Sequence, residues 1–179
     1  RRSGRTPSSG TGPSLAAAGT YYMYTETSGG STGKVFGLGY DGSGCAGVVG
    51  AVSFKYHMYG SDIGTLEVRD GSGAVKWSRS GNHGNSWYQA SVQVDSPSFV
   101  FKGVRGSSWA GDIAVDDVVV SCVTKHQRAP VLPMPRMLPM ALASGLEGNG
   151  SVMRKRRRAQ TVTVLTKANI KAACNAWLT

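Results

Sequence analysis

The chain has 179 residues and a formal net charge of +10, and 40% of its residues are hydrophobic. This length accommodates one ordinary domain rather than two large ones. No run of about 18 apolar residues is present, so the sequence predicts no transmembrane segment in this chain.

The positive charge is confined to the C-terminal third of the chain. Residues 1–122 contain 10 Lys and Arg and 9 Asp and Glu, whereas residues 123–179 contain 10 Lys and Arg and one acid, Glu147. All seven Tyr and all four Phe lie in residues 1–122. We therefore predict a globular domain at 1–122 and a Pro-rich, then basic tail at 123–179. The tail is expected to be largely disordered, because it has too little apolar area to offset the entropy of ordering.

Apolar positions in residues 1–122 recur with a period of two, which is typical of strands with one buried face. Runs of Gly, Asp, Asn and Ser separate these segments as turns. Short strands at intervals of about 8–12 residues predict an all-β, antiparallel sandwich or barrel. In chain order the segments contain Val52, Phe54, Tyr56 and Met58; Leu66 and Val68; Tyr88, Ala90, Val92 and Val94; Phe99 and Phe101; and Ile113 and Val115.

Two of the three cysteines flank the alternating segments. Cys45 precedes Val52, and Cys122 closes the globular region. A disulfide between them would close a loop of 76 residues and stabilise the fold by about 4 kcal/mol in the chain-entropy model. Two buried thiols in a reducing compartment are the alternative, and spacing alone leaves both open. Scattered histidines and the lack of a CxxC pair argue against zinc.

Four ordered blocks carry a specific resemblance. They are SGRTPSSGTGP at 3–13, GTYYMYTETS at 19–28, FKYHMYG at 54–60 after Cys45, and FKGVRG at 101–106 followed by GDIAVDD at 111–117 and Cys122. Together they resemble the MAM family, the extracellular adhesion module of meprins, neuropilins, zonadhesins and adhesive receptor tyrosine phosphatases. The family's N-terminal segment is not matched, so the domain is expected to be N-terminally incomplete.

The resemblance implies a jelly-roll-like β-sandwich and a disulfide between Cys45 and Cys122. It also implies a non-catalytic cell-adhesion or protein-interaction module that is extracellular or at the cell surface. The expected partners are proteins, including a second copy, and the parent protein is expected to be membrane-associated. No cofactor is expected.

The resemblance implies one candidate ligand, a cation. Members of the family can hold a cation near acidic residues, and Asp116 and Asp117 would be the contacts for Ca²⁺ or Na⁺. Two carboxylates fall short of the six or more oxygens that a hard cation prefers. The sequence therefore predicts no metal site, and these acids are expected to accept hydrogen bonds at a sheet end.

Two alternative functions stay open. A basic patch in the tail favours an intracellular protein that binds nucleic acid or an import receptor, although such a run contacts phosphates without sequence specificity. Exposed Trp87 or Trp109 would suit a carbohydrate-binding jelly roll. His57 lies at a polar position of its strand and is interpreted as structural rather than as a base. The basic patch comprises Arg154, Lys155, Arg156, Arg157 and Arg158.

Overall fold

The computed structural model describes residues 1–123 and, as backbone only, residues 160–163. These residues form nine strands. No helix among them has the length and apolar character that crossing a membrane requires. The strands are β1 (Met23–Tyr24), β2 (Val35–Tyr40), β3 (Val48–Met58), β4 (Thr65–Asp70), β5 (Val75–Ser80), β6 (Trp87–Ser96), β7 (Phe99–Val104), β8 (Ile113–Val123) and β9 (Gln160–Thr163).

The strands make two antiparallel sheets packed as a jelly-roll-like sandwich. One sheet has the order β1-β8-β3-β6, and β9 also pairs with β8. The other has the order β2-β7-β4-β5. Neighbours in each sheet are mostly distant in sequence, as the long crossovers of a sandwich require. The predicted all-β antiparallel sandwich is confirmed.

The core lies between the two sheets and is filled by the apolar positions that alternate along the strands. Phe54 of β3 packs edge-on against Phe101 of β7, with ring centroids 4.8 Å apart. Phe54 and Phe101 are 1% and 2% exposed. Because aromatic side chains each bury a large apolar area, this contact joins the two sheets at the centre of the sandwich. Other members of the core include Val52, Met58, Leu66, Val68, Val94, Ile113, Val115 and Val120.

A bulge in β8 shifts the alternation of that strand. Ser53 of β3 pairs with Val119, and Lys55 pairs with Asp116, so two residues of β8 lie opposite one of β3. Asp117, in the bulge, has a φ of 50°. The extra residue changes the parity, so that Val115 before the bulge and Val118 after it both contact the core.

The predicted tail is described only in part. β8 extends to Val123, one residue past the predicted boundary. Residues 160–163 form β9, which pairs antiparallel with Val120–Val123 of β8. The remaining tail residues lie outside the described part of the chain, and the domain division at 122 stays a prediction.

Candidate interaction surface

A disulfide ties the loop before β3 to the end of β8. The structure joins Cys45 and Cys122, with Cα atoms 5.5 Å apart. This is the pairing that the resemblance implied. The bridge closes a loop of chain that runs from β3 to the end of β8, so it fixes the start of this region against its end. Such a bond persists in oxidising compartments, which include the cell exterior.

The N-terminal segment, residues 1–22, contacts Trp87 of β6 through Leu15 and Tyr22, beside the His57 ring. His57 of β3, at a polar position in the sequence pattern, is therefore 1% exposed. Its Nε2 lies 3.1 Å from Oδ1 of Asn85, and its ring packs against Trp87. Trp87 Nε1 in turn donates to the carbonyl of Leu15 at 3.1 Å. Burial lowers the pKa of His57, and the bond to Asn85 offsets this only in part.

Polar contacts fix Thr11 of this segment, and Thr25 just after it, to the start of β8. The Asp112 N–H donates to the Thr11 hydroxyl at 2.8 Å. Thr25 N–H donates to the Ile113 carbonyl at 2.9 Å, and Ile113 N–H donates to the Thr25 hydroxyl at 3.0 Å. No periodicity in the sequence marks these residues as buried, and sequence reasoning missed them. The buried threonines are Thr6, Thr11, Thr25 and Thr27.

Asp112 is a fully buried carboxyl group at this junction. Its Oδ1 accepts a hydrogen bond from Thr27 N–H at 3.1 Å and lies 3.0 Å from the Thr27 hydroxyl. Within the described residues its Oδ2 has no hydrogen-bond partner. Burial raises the pKa of Asp112 to about 6; the Thr27 bonds lower it and the charge of Glu26 raises it further.

The two candidate cation contacts, Asp116 and Asp117, lie in different environments. Asp116 is buried, and its Oδ2 accepts a hydrogen bond from Ala18 N–H at 2.9 Å. Asp117 is on the surface and forms an ion pair with Lys55 at 3.4 Å. The described residues hold no group of three or more His, Cys, Asp or Glu side chains arranged for a metal ion. The two carboxylates, although adjacent in sequence, therefore lie in different environments.

The tryptophans have different environments. Trp77 of β5 packs edge-on against Phe54 and Tyr56, at centroid distances of 5.3 and 5.1 Å. Trp87 is partly covered by the N-terminal segment. Trp109, in the loop between β7 and β8, is 49% exposed. Among the tryptophans of the described residues, Trp109 is therefore the most exposed to contact with another molecule.

A comparison with known protein families identifies this domain. A family model described as "MAM domain, meprin/A5/mu" matches residues 1–124. The chain belongs to the MAM family. The resemblance drawn from the four sequence blocks is thus confirmed, and the matched range coincides with the disulfide-linked sandwich.

Several curated proteins share this MAM domain. Human MAM domain-containing glycosylphosphatidylinositol anchor protein 1 is 42% identical over 127 residues, which is 62% of this chain and 13% of that protein. The chicken protein of the same name is 38% identical over 126 residues, with the same coverage. Human MAM domain-containing protein 2 is 35% identical over 135 residues, 66% of this chain and 19% of that protein. The chain thus spans less than a fifth of the length of these relatives.

Outside the MAM domain, the basic patch predicted at 154–158 lies beyond the described residues. Within the MAM domain, His57 contacts an amide and aromatic rings rather than a nucleophile.

Proposed function

We propose that this MAM domain is an adhesion module that acts outside the cell or at its surface. It binds protein partners, including a second copy of itself, and performs no catalysis. Membership of the MAM family over residues 1–124 is the observation that carries this proposal. Residues 1–122 form the module, and residues 123–179 follow it as a tail. The names of the relatives describe glycosylphosphatidylinositol anchor proteins, which supports a membrane-associated parent protein.

The Cys45–Cys122 disulfide supports the extracellular location over the intracellular alternative. Cytosolic thiols are kept reduced, whereas a secreted protein retains such a bridge. Mass spectrometry of the secreted, unreduced protein should detect a peptide that contains both cysteines. Free thiols at both positions in folded, secreted material would overturn the extracellular assignment.

The loop between β7 and β8 supplies the favoured contact residue. Trp109 is half exposed, yet its carbonyl lies 2.7 Å from the Thr27 hydroxyl, so the loop backbone is anchored. A large aromatic side chain on a fixed backbone loses little entropy on binding, and tryptophan is enriched among the residues that dominate interfaces. The module therefore uses Trp109 as an anchor in its protein contact.

A bead assay tests both the adhesion and the anchor. Beads coated with the full chain should aggregate with one another or attach to cells that display a partner. Trp109→Ala should weaken this binding about tenfold or more, whereas Val75→Ala, at an exposed apolar position of edge strand β5, should not. Absence of both aggregation and attachment would overturn the adhesive function. Equal binding by the two variants would remove Trp109 from the contact.

A further inference from the structure

A small polar pocket opens where the N-terminal segment meets the end of β3. Its volume is about 190 Å³. Sites for drug-sized ligands occupy about 300–1,000 Å³, so this pocket has room for one side chain or one sugar ring. The lining residues are Arg5, Gly10, Thr11, Gly12, Ser14, Tyr59 and Asn85.

The lining is rich in hydrogen-bond donors and contains no acid. Within the described residues, no hydrogen bond or ion pair uses the Arg5 guanidinium, and none uses the hydroxyls of Ser14 and Tyr59. Asn85 directs its Oδ1 to His57, which leaves its NH₂ group as a further donor. Gly10 and Gly12 have φ of 74° and 66° and carry no side chain to fill the space.

The backbone around the pocket is fixed in place. Gly12 N–H donates to the Tyr59 carbonyl at 2.9 Å, and the Thr11 hydroxyl donates to the same carbonyl at 2.9 Å. Thr6 Oγ1 donates to the Thr11 carbonyl at 2.7 Å. Asp112 lies behind Gly12 rather than in the lining, and its Oδ1 accepts from Thr27. The backbone of residues 11 and 12 is therefore preorganised beside the pocket.

We propose that this pocket binds a carboxylate, supplied by an Asp or Glu side chain of the partner protein. A guanidinium matches a carboxylate through two parallel N–H···O bonds, which are stronger than bonds between neutral groups. The hydroxyl and amide donors of Ser14, Tyr59 and Asn85 supply further bonds to the same oxygens. The volume admits one acidic side chain together with the end of its backbone.

Titration followed by NMR tests this binding directly. The isotopically labelled full chain is titrated with N-acetyl-glutamate methylamide and, as a neutral match, N-acetyl-glutamine methylamide. We expect saturable shifts of the amide resonances of Gly10, Gly12 and Asn85 with the glutamate compound only. Arg5→Gln should weaken the binding about tenfold, whereas Arg79→Gln, an exposed arginine on β5, should leave it unchanged.

The methyl glycoside of N-acetylneuraminic acid tests the other source of a carboxylate, a glycan. Tighter saturation by this sugar than by the glutamate compound would overturn the assignment to a protein side chain. Equal effects of the Arg5 and Arg79 variants, or no shift at the pocket residues, would overturn the carboxylate site itself. The proposal rests on the proposed interaction function, but the two can fail separately: a negative bead assay counts against adhesion, and a negative titration counts against the pocket.

Discussion

The buried carboxyl of Asp112 should contribute more to the stability of the domain in mild acid than at neutral pH. Burial raises its pKa from 3.8 to about 6 in the folded state. Between these two values the folded protein binds the proton more tightly than the unfolded chain, so stability increases as the pH falls. From pH 7.5 to 4.5 this single group should add about 2 kcal/mol to the free energy of unfolding.

Asp112→Asn isolates this contribution, because the amide keeps the shape of the side chain and does not titrate. His57 works in the opposite direction, since its lowered pKa means that the folded state resists protonation as the pH falls. That contribution is common to both proteins and cancels in their difference. Urea unfolding of each protein at pH 7.5 and 4.5 measures the four free energies needed.

We expect the wild type to gain about 2 kcal/mol relative to Asp112→Asn on going from pH 7.5 to 4.5. The direction follows from the burial of the carboxyl group, whose Oδ2 has no hydrogen-bond partner within the described residues. Identical pH profiles for the two proteins would show that Asp112 titrates normally. A relative loss for the wild type would mean that the carboxylate is stabilised rather than desolvated in the folded state.

Two further sets of substitutions test how much the disulfide and Gly60 contribute to the stability of the domain. Replacing Cys45 and Cys122 together by Ala should lower the free energy of unfolding by about 4 kcal/mol, because the unfolded chain gains loop entropy; an unchanged urea midpoint would contradict this. Gly60→Ala should lower the free energy of unfolding by about 2 kcal/mol or more. Gly60 has a φ of 150°, and an added Cβ would overlap a carbonyl oxygen of the β7–β8 loop. Gly39→Ala, which points into open space, is the matched control; equal losses for both variants would show that this overlap is relieved at little cost.

The sandwich itself could be predicted because its strands bury one face against the other sheet. The alternation of Phe54, Tyr56 and Met58 in β3 places all three in the core. The same holds for Val92 and Val94 in β6. A period of two in the apolar residues indicates that one face of a strand is buried. Composition and this pattern are therefore sufficient to predict the fold class.

The environment of His57 could not be predicted by this route. The position of His57 in the alternating pattern predicts a solvent-exposed side chain, but the N-terminal segment covers that face of the sheet. The segment is rich in Gly, Ser and Thr and lacks a repeating apolar pattern, so periodicity does not mark its buried residues, such as Thr11 and Tyr22.

β8 is fixed at both of its ends by contacts distant in sequence. At its start, Ile113 exchanges hydrogen bonds with Thr25, and at its end Cys122 is bonded to Cys45. The exposed Lys55–Asp117 pair between these ends adds little, since surface ion pairs contribute about 0–1 kcal/mol. The N-terminal segment is held both by polar contacts, such as that between Thr11 and Asp112, and by packing of the buried Tyr22 ring against Trp87. These contacts do not involve the Arg5 guanidinium, so a carboxylate bound in the proposed pocket displaces none of the interactions that hold the segment.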